Sequence, residues 1–173
     1  MAGIDWLSLA TTERAKYAGL TTNAQRFRWW AKQLLDAEYK RGKENILQTD
    51  CSGTICYPLY GMGYDIRIKA SELCETIFQT TPVVFSMENT LAMFFRNPQG
   101  EIIHVAPFMG PDVLMNAGDP VSFRTTQYLT SWFRRHEKAE AVCRQLDWEA
   151  AAELSESGRN CWGLDPTVKT LRR

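Results

Sequence analysis

The sequence predicts an α+β domain, and three observations carry that prediction. Apolar residues recur at helical spacing early in the chain, at Phe27, Trp30 and Leu34. Between Leu91 and Asn116 the pattern changes to short runs rich in β-branched and aromatic residues, divided by Asn97-Pro98-Gln99-Gly100 and Gly110-Pro111. From Thr126 a helical stripe returns through Tyr128, Trp132, Ala139, Val142 and Leu146. Helices, then a sheet, then helices is the order of a domain whose helices pack against one antiparallel sheet.

Each element has its own justification. Trp6, Leu7, Leu9 and Tyr17 offer packing surface in a mixed N-terminal stretch. Thr21-Thr22-Asn23 reads as a cap, and Ala31 and Leu35 widen the stripe of a helix expected to run to about Tyr39. Lys40 to Gln48 is polar, with Gly42 as a breaker. A helix then begins around Thr49-Asp50-Cys51-Ser52-Gly53, with Thr49 or Asp50 as N-cap. Pro58 keeps it short or kinks it near Thr54, and Gly61-Met62-Gly63 ends it. Ala70 to Phe78 predicts another short helix capped by Ser71.

Strands follow at Leu91–Arg96, Glu101–Met109 and Asp112–Asn116, with a further one near Val121–Arg124. The tail after Ser155 holds Cys161-Trp162 and Leu164, which can dock. This organisation predicts a single domain over residues 1–173, with a core at about 22–124 and a C-terminal helical extension at about 125–173.

Composition narrows the partners. Apolar residues make up 45% and charged residues 23% of 173 positions, enough for one proper core. Twenty Lys and Arg balance twenty Asp and Glu, so no basic face is expected and nucleic acid is a poor partner. No apolar run approaches the roughly 20 residues that span a bilayer, and Met1 to Ala10 has no secretory pattern. The five cysteines are odd in number and lack a CxxC pair, which argues against a disulfide framework or zinc site. The expectation is a chain made in a reducing cytoplasm, with no metal, no cofactor and an open oligomeric state.

Cys51 is the candidate nucleophile. A thiol in the first turn of a helix sits beside unpartnered N–H groups and the positive end of the dipole, which favours thiolate. Such a nucleophile needs a base and a group to orient that base. Of two histidines, His136 lies in the charged run Arg134-Arg135-His136-Glu137-Lys138 and reads as solvated. His104 lies inside Ile102-Ile103-His104-Val105-Ala106, a strand, with Ile103 and Val105 on the opposite face.

These residues resemble the NlpC-type family of papain-like cell-wall peptidases. That family places its nucleophile in a D-C-S-G motif, matched by Asp50-Cys51-Ser52-Gly53, and its base in an H-V-G-like strand, matched by His104-Val105. Its third polar residue comes about a dozen positions later, and Asn116 stands there. Its cleft tyrosine, in a Y-x-x-G setting a dozen positions before the cysteine, is matched by Tyr39-Lys40-Arg41-Gly42. The match spans roughly residues 27 to 120. Departures are Ala106-Pro107 where the family has Gly, which places that strand at an edge or bends it, and an uncharged Asn116.

The resemblance implies a papain-like fold, with the nucleophile helix on a small antiparallel sheet. It also implies hydrolysis of peptidoglycan stem peptides, most often between D-Glu and a diamino acid, by Cys51, His104 and Asn116. By similarity Tyr39, Asp50 and Ser52 contact substrate, although a plain cap is an equal reading for Asp50. Arg67 is expected on the surface, with a contact to a substrate carboxylate as its alternative. Other readings stay open: an N-acetylmuramoyl-L-alanine amidase, a thiol acyltransferase, or a non-catalytic wall-binding module. Without an export signal, the expected setting is delivery after lysis, in a virion or by injection, a phage lysin first among these.

Overall fold

The computed structural model describes residues 11–45, 47–80 and 84–157, with side chains from residue 15. The packing expected of Trp6, Leu7 and Leu9, and of Cys161, Trp162 and Leu164, lies outside the described residues. Two helices open the chain, α1 (Thr11–Ala18) and α2 (Asn23–Lys32). A capping box starts α2: Thr22 accepts from the Gln25 backbone while the Gln25 side chain accepts from the Thr22 backbone. The helix ends at Lys32 rather than near Tyr39, because the chain turns at Asp36 with φ 67° and enters β1 (Glu38–Tyr39).

Strand β1 pairs in parallel with β2 (Gln48–Thr49), joining Tyr39 to Thr49. Helices α3 (Gly53–Gly61) and α4 (Ala70–Thr76) follow. Helix α3 is short, with Pro58 inside it. Lys69 occupies the N-cap position of α4, one residue before the helix and two before the expected Ser71.

Strands β3 (Phe78–Gln79), β4 (Leu91–Arg96), β5 (Ile102–Gly110), β6 (Val113–Asn116) and β7 (Ser122–Thr125) come next, then α5 (Thr126–Glu137). The expected all-helical C-terminal extension is corrected here. Lys138 adopts a left-handed conformation, φ 51°, which ends α5 and turns the chain into β8 (Glu140–Leu146) before α6 (Trp148–Glu156). Strand β8 inserts between β3 and β4, giving a six-stranded sheet of order β3-β8-β4-β5-β6-β7 with antiparallel pairings. Residues beyond 124 therefore belong to the core.

Two apolar clusters clothe the sheet. One joins Phe27 and Trp30 of α2, Leu34 just after it, and Ile55 and Leu59 of α3 to Phe94 and Val105. The other joins Leu129 and Phe133 of α5 to Phe95, Ala106 and Leu114. Burial of these side chains supplies the main driving force, at roughly 25 cal/mol per Å² of apolar surface. Gly61 is required by the first cluster, since a Cβ there would stand 2.5 Å from the Trp30 indole.

Candidate active site

The turn before α3 is held by a buried polar network. Asp50 Oδ1 accepts from Ser52 Oγ at 2.9 Å and from the Gly53 backbone N–H at 2.7 Å. Its Oδ2 accepts from the Gly42 N–H at 2.6 Å and from Arg67 Nη2 at 2.9 Å. Arg67 also donates from Nη1 to Ser52 Oγ at 2.7 Å, and its Nε lies 3.0 Å from the Glu44 carboxylate. The expected surface position of Arg67 is thus corrected: the side chain is fully buried, at 0% exposure, because three acceptors around one loop compensate its charge.

Asp50 acts on the first helical N–H as a cap, while Ser52 holds the cap position without a side-chain cap bond. Four donors occupy the lone-pair capacity of the Asp50 carboxylate. Gly53 follows from the same packing, because a Cβ there would meet Thr49 Oγ1 at 2.1 Å and the Lys43 carbonyl at 2.7 Å. The D-C-S-G pattern thus has a steric basis beside its chemical one.

The second half of the site comes from β5. Phe95 pairs with His104 but Arg96 pairs with Ile102, so Ile103 is an extra residue in a bulge. Such a bulge redirects neighbouring side chains. His104 Nε2 lies 2.8 Å from Asn116 Oδ1, at the end of β6. Its ring packs on Phe133 at 4.8 Å and Phe95 at 5.9 Å.

Strand β5 registers with β6 only from Phe108 onward. Over residues 102–107 it has β4 on one side, so Pro107 sits in a local edge although the strand is interior to the sheet. That opening leaves the Val105 backbone facing Cys51, where it opposes the rise of the thiol pKa. Strand β5 thus brings His104 to Asn116 and its Val105 backbone towards Cys51.

Burial sets the protonation states. It pushes the Cys51 thiol up to about 11, with the Asp50 charge adding to the rise against the Val105 and Ser52 backbone bonds and Arg67. Burial also pulls His104 down to about 4, against the bond to Asn116 and the charge of Asp50. The expected thiolate is therefore corrected to a neutral thiol beside a neutral imidazole. Cys51 precedes the helix cap instead of sitting in the first turn, and desolvation outweighs the helix end.

Two cavities meet at Tyr39 and Ile103. One, of about 310 Å³, is lined by Cys51, Asp50, Ser52, Arg41 and Lys69. The other, of about 560 Å³, is lined by His104, Asn116, Arg124, Tyr128, Trp132 and Phe133. Tyr39 stands between them at 45% exposure, its phenol pKa raised by burial and then by the nearby Cys51 and Asp50. Its placement follows from the parallel pair, which sets Tyr39 against Thr49, two residues before Cys51.

His136 lies exposed on α5 with its ring 4.7 Å from Trp132 and does not line the cavity of His104. Sequence reasoning missed Glu44 and the α5 wall. A buried acid needs a basic partner, but Arg67 lies 23 positions away with no periodic link to Glu44. The exposed aromatic pair Tyr128 and Trp132, spaced i and i+4, was a readable signal for the wall. Among the described residues no group of three or more His, Cys, Asp or Glu is placed to hold a metal, and no helix is long and apolar enough to cross a membrane.

No family model matches the chain, and neither does any curated protein. Solved structures do. An NLP/P60-family protein similar to lipoprotein from Staphylococcus aureus matches with a TM-score of 0.55 at 18% identity, over 75% of this chain and 44% of that one. NlpC1 from Trichomonas vaginalis matches with a TM-score of 0.56 at 13% identity, over 75% of this chain and 45% of its own. NlpC2 from the same organism gives 0.50 at 14%, over 65% and 46%. This chain therefore spans less than half the length of these neighbours. Its antiparallel sheet, with the Cys51 helix packed on it, is the papain-like fold of the NlpC/P60 proteins.

Proposed function

We propose that the chain is a cysteine peptidase that hydrolyses an amide bond in peptidoglycan stem peptides, between D-Glu and a diamino acid. The observation that carries this reading is the His104 Nε2–Asn116 Oδ1 pair at 2.8 Å, on the strand whose Val105 backbone acts on the Cys51 thiol. Asn116 Oδ1 can only accept, so the neutral ring places its proton on Nε2 and leaves Nδ1 as a free base.

The reaction follows from those states. His104 Nδ1 takes the thiol proton as the sulfur attacks the scissile carbonyl, so the thiolate forms during attack and not before it. The tetrahedral oxyanion is stabilised by the Cys51 N–H and the Tyr39 hydroxyl. His104 then returns the proton to the leaving amine as the C–N bond breaks, giving an acyl-enzyme thioester. Water, deprotonated by the same imidazole, attacks the thioester, releases the acid and restores the thiol. Asn116 fixes the ring throughout, and Asp50, saturated by its four donors, anchors the nucleophile turn.

Digestion of purified sacculi with mass analysis of the products tests the bond. Fragments with a new amine on the diamino acid are expected. A free L-Ala terminus on an intact stem would instead mean the amidase reaction, and unaltered sacculi would reject the peptidase reading.

The protonation states add a pH test. The base works deprotonated, and His104 titrates near 4 instead of 6.5. The acid limb of kcat/KM should therefore fall near pH 4, with activity nearly flat from there to neutrality. A limb at 6.5 or above would show that His104 is not the buried base described here.

A further inference from the structure

Phe133 reaches His104 from outside the stretch that carries the family resemblance, which ends near residue 120. Along α5, Leu129 and Phe133 stand four apart and are both buried, so they share the helix face that lies on the sheet. In the sheet, His104 pairs with Phe95, so those two side chains share a face as well. It is the face that α5 covers.

The rings there form one stack. Phe95 and Phe133 have their centres 4.2 Å apart at an angle of 22°, and Trp132 stands edge-on to Phe133 at 4.9 Å. The His104 ring lies 4.8 Å from Phe133 with a tilt of only 30°. A contact so near to parallel covers a face of the imidazole and leaves its edge to other groups. Nε2, on that edge, meets Asn116 at 2.8 Å. One hydrogen bond alone leaves a ring free to turn about it. A flat wall removes that freedom.

We infer that Phe133 is a positioning residue for the base: seated on Phe95, its ring closes one face of His104 and keeps Nε2 turned to Asn116. The same contact keeps water from that face. This favours the neutral imidazole, because an imidazolium loses hydration there. Attraction of the cation to the Phe133 ring pulls the other way and is the weaker effect in a buried site. Tyr39, Asp119, Arg124, Tyr128 and Glu137 line the cavity around His104, and Asp50 acts on the ring from the nucleophile turn. Substitutions at Phe133 leave all of these in place. For catalysis the assignment rests on the peptidase reading above; for the state of the ring it does not.

NMR titration of the whole chain tests it, since His104 and His136 are its only two imidazoles. In the parent, His104 should titrate near 4. Phe133→Ala should raise that midpoint by about one unit or more, and Phe133→Val by less. Leu91→Ala is the control. Leu91 is buried in the same apolar cluster but does not line the His104 cavity, so its loss destabilises the fold without moving the midpoint. On sacculi, the acid limb of kcat/KM should move with the midpoint. At neutral pH, kcat should fall about tenfold or more in both Phe133 variants, with KM nearly unchanged. A His104 midpoint that stays or falls in the Phe133 variants would overturn the assignment, as would a Leu91→Ala shift of equal size. If Phe133→Ala does not fold, Phe133→Val decides by the same criteria. A midpoint that moves as expected in a chain that cleaves nothing would keep Phe133 in this role and remove the peptidase. Cleavage with an unmoved midpoint would do the reverse.

Discussion

Alanine at position 51 should lower stem-peptide cleavage on the order of 10⁴-fold or more, since a nucleophile has no substitute in a covalent mechanism. The fold should hardly notice. Cys51 is half-buried at the rim of the first apolar cluster, so alanine removes one sulfur and its packing there. A change of at most about 1 kcal/mol is expected, which moves Tm by no more than about 4 °C in a chain of this size. The other described cysteines cannot take over: Cys56 is buried in α3 with its thiol on the Ile68 carbonyl, Cys74 is buried in α4, and Cys143 sits on β8. Activity within tenfold of the parent would mean another residue attacks the substrate.

Arg67→Met should have the opposite profile, a large loss of stability. Methionine keeps much of the length but removes the guanidinium that the Asp50 and Glu44 carboxylates share, both below 10% exposure. Breaking a buried pair in this way costs about 3–5 kcal/mol, or a fall in Tm of roughly 10 °C. Arg67→Lys should restore less than half, because one ammonium cannot reproduce a planar fork that reaches Ser52, Asp50 and Glu44 together. Thermal unfolding followed by circular dichroism measures both. A loss below about 1 kcal/mol for Arg67→Met would mean that the network contributes little to holding the nucleophile turn.

The positions that meet in space were legible where local geometry sets their spacing. The twelve residues from Tyr39 to Cys51 cover a parallel pair and its connecting loop, and the twelve from His104 to Asn116 cover one hairpin. Three features were not legible. Arg67 read as surface because an arginine is normally solvated, and its compensating acids are distant in sequence. Strand β8 read as helix because Val142 and Leu146 stand four apart; its side chains are half-buried on both faces, which erases the alternation that marks a strand. The neutral thiol was missed because the helix-end rule contains no burial, and burial here depends on β5 lying against the turn.

The late arrival of β8 has a kinetic side. Strand β4 closes on β5 through a short local turn, but its other edge waits for residues about fifty positions further on. Until residues 140–146 leave the ribosome, Leu91–Arg96 carries an open row of donors and acceptors on a strand rich in Phe and Leu, the kind of edge that recruits neighbouring chains. A version of the protein cut at residue 124 should therefore aggregate during synthesis, and one that keeps residues up to 146 should not.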